Sequence, residues 1–190
     1  MHDDDAGRGE ARHMDVRIGD RVMQVLLDEA TIQARIRELG ATLTRDYAGK
    51  DFILVTILKG SMLFAADLAR AVDLPLQLEF MSVSSYGDDT DSSGVVQVTL
   101  DLSRNVAGKD VLLVEDIVDT GLTMRYLLDN LATRHPASLK VCTLLHKPAR
   151  RRVEVPLDYV GFTIEDHFVI GYGLDYEQRY RNLRYIGYMI

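Results

Sequence analysis

The run Glu115-Asp116-Ile117-Val118-Asp119-Thr120-Gly121-Leu122-Thr123 gathers the densest chemistry in the chain. Two adjacent carboxylates can accept hydrogen bonds from a vicinal diol such as a ribose. The glycine lets backbone approach an anion closely, and Thr120 and Thr123 add hydroxyl donors. A second cluster, Lys59-Gly60-Ser61, places a cation in another glycine turn. These are the tools for holding a phosphorylated sugar. No Ser-His-Asp arrangement is apparent, and the GxxxxGK[ST] pattern of a nucleoside-triphosphate loop is missing.

Elements must position these groups. Val111, Leu112, Leu113 and Val114 have the composition of a strand buried on both faces, predicted to end at the acidic pair. Helical character starts at Leu122. Strand, acidic pair, glycine loop and helix build a phosphate site at the carboxyl edge of a parallel sheet, where free N–H groups of the first helical turn face the anion. Residues 51–58 (DFILVTIL) read as another buried strand, entering Lys59-Gly60-Ser61 and then a helix over 62–71. Residues 22–27 predict a short strand. Asp28 caps a helix over 29–39, Gly40 marks a break or bend, and helix resumes over 41–47. Residues 76–83 and 95–100 are extended, and the polar stretch between them makes a hairpin with a long tip. Further strands are predicted at 139–145, 158–162 and 168–171, and a basic cluster lies at 179–184. Alternating strands and helices indicate a parallel α/β sheet.

The run 111–123 resembles the phosphoribosyl-diphosphate-binding motif of the type I phosphoribosyltransferases, in particular their hypoxanthine-guanine branch, and the likeness spans residues 22–186. It implies an α/β fold: a central, mostly parallel twisted sheet flanked by helices, a small hood of terminal segments, and a flexible hairpin lid. Residues 1–15 are expected to be a disordered tail and 16–190 a single domain. The implied reaction joins hypoxanthine or guanine to 5-phosphoribosyl 1-diphosphate, giving IMP or GMP and diphosphate through a transition state of oxocarbenium character. The resemblance makes Asp119 the catalytic group that handles the proton of the purine imidazole nitrogen. It assigns Glu115 and Asp116 to the ribose hydroxyls, and Asp119, Thr120, Gly121, Leu122 and Thr123 to the 5-phosphate. Some relatives carry lysine where this chain has Leu122, so more of the phosphate binding falls to N–H dipoles. Lys59, Gly60 and Arg181 are implied for diphosphate, and Lys147, Phe168, Val169 and Asp175 for the purine. Magnesium is implied as cofactor, held by Glu115, Asp116 and Asp175. Ser84, Ser85, Tyr86 and Gly87 resemble the start of the closing lid. A homodimer or homotetramer is common in the family.

Residue types alone leave other readings open. Asp119 could cap the next helix, Lys59 could be a solvated loop lysine, Lys147 a surface lysine, and Phe168 core packing. The hairpin tip could be an ordinary surface loop. His146 and His167 flank implied site residues and receive no role. Cys142, the single cysteine, reads as a small apolar residue in a buried strand and excludes an internal disulfide framework. At 190 residues, 47% hydrophobic and 27% charged, the chain has globular composition. A net charge of −7 offers no global field for nucleic acid or acidic lipid. The acidic start differs from a secretory signal and no apolar run approaches the roughly 20 residues that span a bilayer, so the expectation is a cytoplasmic protein. A ligand-sensing regulator on the same fold is the competing class. Against it stand the acidic composition and the joint presence of Lys59, Asp119, Lys147, Asp175 and Arg181.

Overall fold

A computed structural model describes residues 15–18, 21–85 and 96–190. The elements run β1 (Asp15–Ile18), β2 (Arg21–Leu27), α1 (Glu29–Asp46), β3 (Phe52–Leu58), α2 (Met62–Ala71), β4 (Gln77–Ser85), β5 (Val96–Leu100), β6 (Asp110–Val118), α3 (Leu122–Ala132), β7 (Ser138–His146), β8 (Tyr159–Thr163), β9 (Val169–Ile170) and β10 (Ile186–Met189). The larger sheet has the order β5-β4-β3-β6-β7-β8. Its strands are parallel except β5, which pairs antiparallel with β4. A second sheet, β1-β2-β10-β9, is wholly antiparallel and joins the two ends of the described chain into the expected hood.

The near-continuous apolar runs of β3 and β6 follow from burial on both faces. Alternation along them divides the core in two. Phe52, Leu54, Leu112 and Val114 face Ile32, Ile36 and Leu43 of α1 and Phe64 and Leu68 of α2. Ile53, Val55, Val111 and Leu113 face Met124, Leu127 and Leu131 of α3. Each such side chain contributes about 1.5–3 kcal/mol through burial. Cys142 sits fully buried in the first cluster, as its residue type implied, and burial pushes its thiol pKa up. Among the described residues no helix is long and apolar enough to cross a membrane.

The chain runs from β3 through α2 to β4 in one direction, then returns to β6 and continues through α3 to β7 and β8 in the other. The strand order therefore reverses between β3 and β6. A crevice at the carboxyl ends of these two strands is the expected ligand site of such a sheet, and both chemically dense loops lie there.

Three details differ from the sequence reading. Gly40 does not interrupt α1, which is continuous with Asp28 as N-cap, its carboxylate accepting from the Thr31 N–H at 2.7 Å. Glycine is needed at position 40 because α2 crosses there: a Cβ would lie 2.5 Å from both Cβ and carbonyl oxygen of Ala71. β6 does not stop at the acidic pair. It continues to Val118 because β7 offers partners that far, with Glu115 opposite Thr143 and Val118 opposite His146. Strands β1 and β10 have no local signal, and their pairing is set by the partner β2. Ser84 and Ser85 end β4, whereas Tyr86 and Gly87 of the expected lid lie outside the described residues.

Candidate active site

The loop between β6 and α3 is built around Gly121, the N-cap of α3, at φ +85°. A Cβ there would overlap the Val153 carbonyl oxygen, so both conformation and space require glycine. The Thr120 carbonyl accepts from the N–H groups of Arg152 (2.9 Å) and Val153 (3.1 Å), which ties the loop to the segment after β7. No side chain caps α3. Asp119 is therefore not a helix cap. The start of α3 borders a small cavity of about 100 Å³ lined by Glu115, Asp119, Thr120, Gly121 and Thr123, and a cavity at a helix N-terminus suits a phosphate.

Beside it opens a larger cleft of about 340 Å³, lined by Asp116, Asp119, Lys147, Phe168, Val169 and Asp175 among others. Lys147 follows β7 and is only 4% exposed. Its ammonium lies 2.8 Å from Asp166 Oδ1 and donates to the His167 carbonyl at 3.0 Å. These use two of three N–H donors, leaving one for a ligand. Phe168 is 62% exposed at the mouth, edge-on to Tyr176, so it is not core packing. Val169 is buried in β9. Across the cleft, the Leu58–Lys59 peptide is cis. Lys59 is exposed, and Gly60 packs so closely on Asp116 that a Cβ would overlap its carboxylate. Asp175 pairs with Arg181 at 2.7 Å, and Arg181 also donates to the Gly173 carbonyl at 2.7 Å.

Comparison with known proteins decides what this arrangement belongs to. Residues 24–177 match the phosphoribosyl transferase domain family. The chain belongs to the phosphoribosyltransferases. It is 56% identical over 172 residues to the hypoxanthine-guanine phosphoribosyltransferase of Mycobacterium avium, covering 87% of this chain and 85% of that one. Identity is 50% to the hypoxanthine phosphoribosyltransferase of Haemophilus influenzae, over 88% of this chain and 96% of the relative. The crystal structure of a hypoxanthine phosphoribosyltransferase from Staphylococcus aureus superposes with a TM-score of 0.85 at 49% identity, covering 87% of this chain and 90% of that one.

Within this phosphoribosyltransferase the acidic pair is electrostatically unbalanced. Burial, then the neighbouring Asp116 carboxylate, pushes Glu115 well above its ordinary range. Burial raises Asp116 too, opposed by hydrogen bonds from Glu115 and the Ile117 N–H and by the charge of Arg181. A cation or a pair of hydroxyl donors would relieve both. Asp116 and Asp175 share the larger cleft, whereas Glu115 lines the smaller cavity. Among the described residues no three His, Cys, Asp or Glu side chains form a ready-made metal cage. A few hard carboxylate oxygens fit magnesium, which keeps several waters and takes other ligands from substrate phosphates.

Sequence reasoning missed Arg150, whose guanidinium lies 3.8 Å from Asp119 and lines the cleft. It also missed Asp166, the partner of Lys147. The signal for Arg150 was present in the basic run after Pro148, since Pro148–Arg150 forms a 3-10 turn that folds this run back over the loop. His167, given no role, lines the cleft and stacks on Tyr188 at 4.1 Å.

Proposed function

We propose that this chain is a purine-salvage pentosyltransferase that transfers the 5-phosphoribosyl group from 5-phosphoribosyl 1-diphosphate to hypoxanthine and guanine, releasing IMP or GMP and diphosphate. The observation that carries the reading is the buried Lys147 ammonium, held with one donor to spare in the same cleft as the exposed Phe168 ring and the Asp119 carboxylate. Phe168 stacks on the purine and Lys147 donates to its 6-oxo group. Val169 reads the ring edge through its backbone. Asp119 takes the proton of the imidazole nitrogen as that nitrogen bonds to C1 of the ribose.

The N–H groups and hydroxyls of the Thr120, Gly121, Leu122 and Thr123 turn hold the 5-phosphate. Glu115 and Asp116 accept from the ribose hydroxyls. Lys59, the Gly60 backbone and Arg181 bind the diphosphate, Arg181 through its bidentate fork. Magnesium, when bound, would supply neutralising charge to the diphosphate, and Asp116, Asp175 and Glu115 are the carboxylates that would hold it. The chain works in the cytoplasm as a homodimer or homotetramer.

The test is a steady-state assay of the purified protein with the sugar diphosphate, magnesium and each base in turn. Hypoxanthine and guanine should both react and adenine should be poor. Absence of turnover with either 6-oxopurine would defeat the reading.

A further inference from the structure

We propose that Tyr172 and Asp67 are positioning residues for the diphosphate end of the site, an inference that rests on the function proposed above. The turn carrying Asp175 begins with three consecutive residues in the left-handed region: Gly171 at φ +98°, Tyr172 at φ +47° and Gly173 at φ +100°. For an aromatic residue this conformation is unfavourable and persists only where the surroundings impose it. Here they do. The Tyr172 N–H donates to the Leu183 carbonyl and that of Gly173 to the Arg181 carbonyl, both at 2.9 Å. Flanked by glycines, Tyr172 anchors the turn together with the buried Leu174, and it is the turn's polar anchor. It is 5% exposed, and its hydroxyl donates to Asp67 Oδ2 at 2.6 Å.

Asp67 stands on α2, the helix that starts directly after the Lys59-Gly60 loop. It is fixed in turn by Gln33 Nε2 of α1 at 2.7 Å and by an ion pair with Arg70. The circuit then closes at the site. Gly173 lies against Gly60 so tightly that a Cβ would overlap the Gly60 carbonyl oxygen, and Gly60 lies against Asp116. Two backbone strips thus face each other, one carrying Lys59 and Gly60, the other Asp175 and Arg181. The Tyr172–Asp67 bond fixes the spacing between them from behind. Neither side chain lines the cleft that holds Lys147 and Phe168. Of the two strips only Asp175 reaches that cleft, so the effect of the pair should fall mainly on the sugar diphosphate.

The experiment compares wild type, Tyr172→Phe, Asp67→Ala and Asp67→Asn, each as the full chain with magnesium and checked for cooperative thermal unfolding. A lost hydrogen bond to a charged group corresponds to about a tenfold effect. Tyr172→Phe and Asp67→Ala should raise KM for the sugar diphosphate by about that factor, with KM for hypoxanthine within about twofold of wild type. Asp67→Asn keeps an acceptor for the tyrosine hydroxyl and should stay near wild type. An unchanged sugar-diphosphate KM in Tyr172→Phe, or equal rises in both KM values, would overturn the inference. If wild type turns over no purine, the functional reading falls by itself. Calorimetric binding of inorganic diphosphate then decides this one: weaker binding by Tyr172→Phe supports it, and equal affinities sink it.

Discussion

Asp119 has one buried carboxylate oxygen without a hydrogen-bond partner among the described residues, and its other oxygen sees only the distant Arg150 guanidinium. A buried, unpaired acceptor costs about 1–3 kcal/mol, so a folded chain keeps it where a ligand donor repays the loss. A purine N–H is such a donor. Asp119→Asn should leave the shape of the loop intact while removing the proposed base, lowering kcat by about 10²–10⁴-fold. Affinity for the sugar diphosphate, measured separately by calorimetry, should change little, and near-normal turnover would refute the role. The proposed role of Lys147 in choosing the base rests on a different mechanism. Its spare N–H can donate to a 6-oxo group but cannot accept from a 6-amino group. Lys147→Met should reduce kcat/KM for hypoxanthine and guanine and narrow their advantage over adenine, read from the ratio of the three values. Full retention of the preference would move discrimination to the backbone around Val169.

At the scale of elements, close approach sets the limits. Gly40→Ala in the middle of α1 gains about 0.5–1 kcal/mol of helix propensity. The new methyl would meet both Cβ and carbonyl oxygen of Ala71, and backbone cannot step aside as a side-chain tip can. Overpacking of this kind costs about 1–3 kcal/mol. The clash wins, and a denaturant titration should show net destabilisation of about 1 kcal/mol or more. An unchanged midpoint would mean that the α1–α2 crossing can widen freely. The same contrast between local and long-range causes explains what could be read in advance. Strands β3, β6 and β7 and helix α2 announce themselves through apolar runs and spacing, and the β6–α3 loop through its order of residue types. The end of β6 at Val118, the uninterrupted α1 and strand β10 depend on partners distant in the chain, which no window of sequence contains, and β1 is a short edge strand that pairs only with the neighbouring β2. Arg150 lies between the two cases, since the basic run after Pro148 is visible locally while its place beside Asp119 follows from the turn after β7.

At the scale of the whole molecule, the hood must stay registered on the main sheet, because Asp175 and Arg181 lie in the chain between β9 and β10 while Lys59 follows β3. Asp67 links α1 through Gln33, α2 through its own backbone, and the hood through Tyr172. Burial pushes the Tyr172 hydroxyl pKa up, so it stays a donor across working pH. Burial by itself would raise the Asp67 carboxyl. Hydrogen bonds from Tyr172, Gln33 and Arg70 outweigh it and hold the carboxyl below its ordinary 3.8. The sign follows from linkage. A carboxylate with a depressed folded-state pKa stabilises the fold fully above its unfolded value, and loses that contribution as pH falls through the folded value. The denaturation midpoints of wild type and Asp67→Ala should therefore differ by a constant amount from pH 8 down to about pH 5. Below pH 3.8 the gap should close as Asp67 takes up its proton. The partial exposure of this group lets solvent screen the effect, so the gap should be modest. A gap that persists unchanged at low pH would show that Asp67 acts through packing and neutral hydrogen bonding.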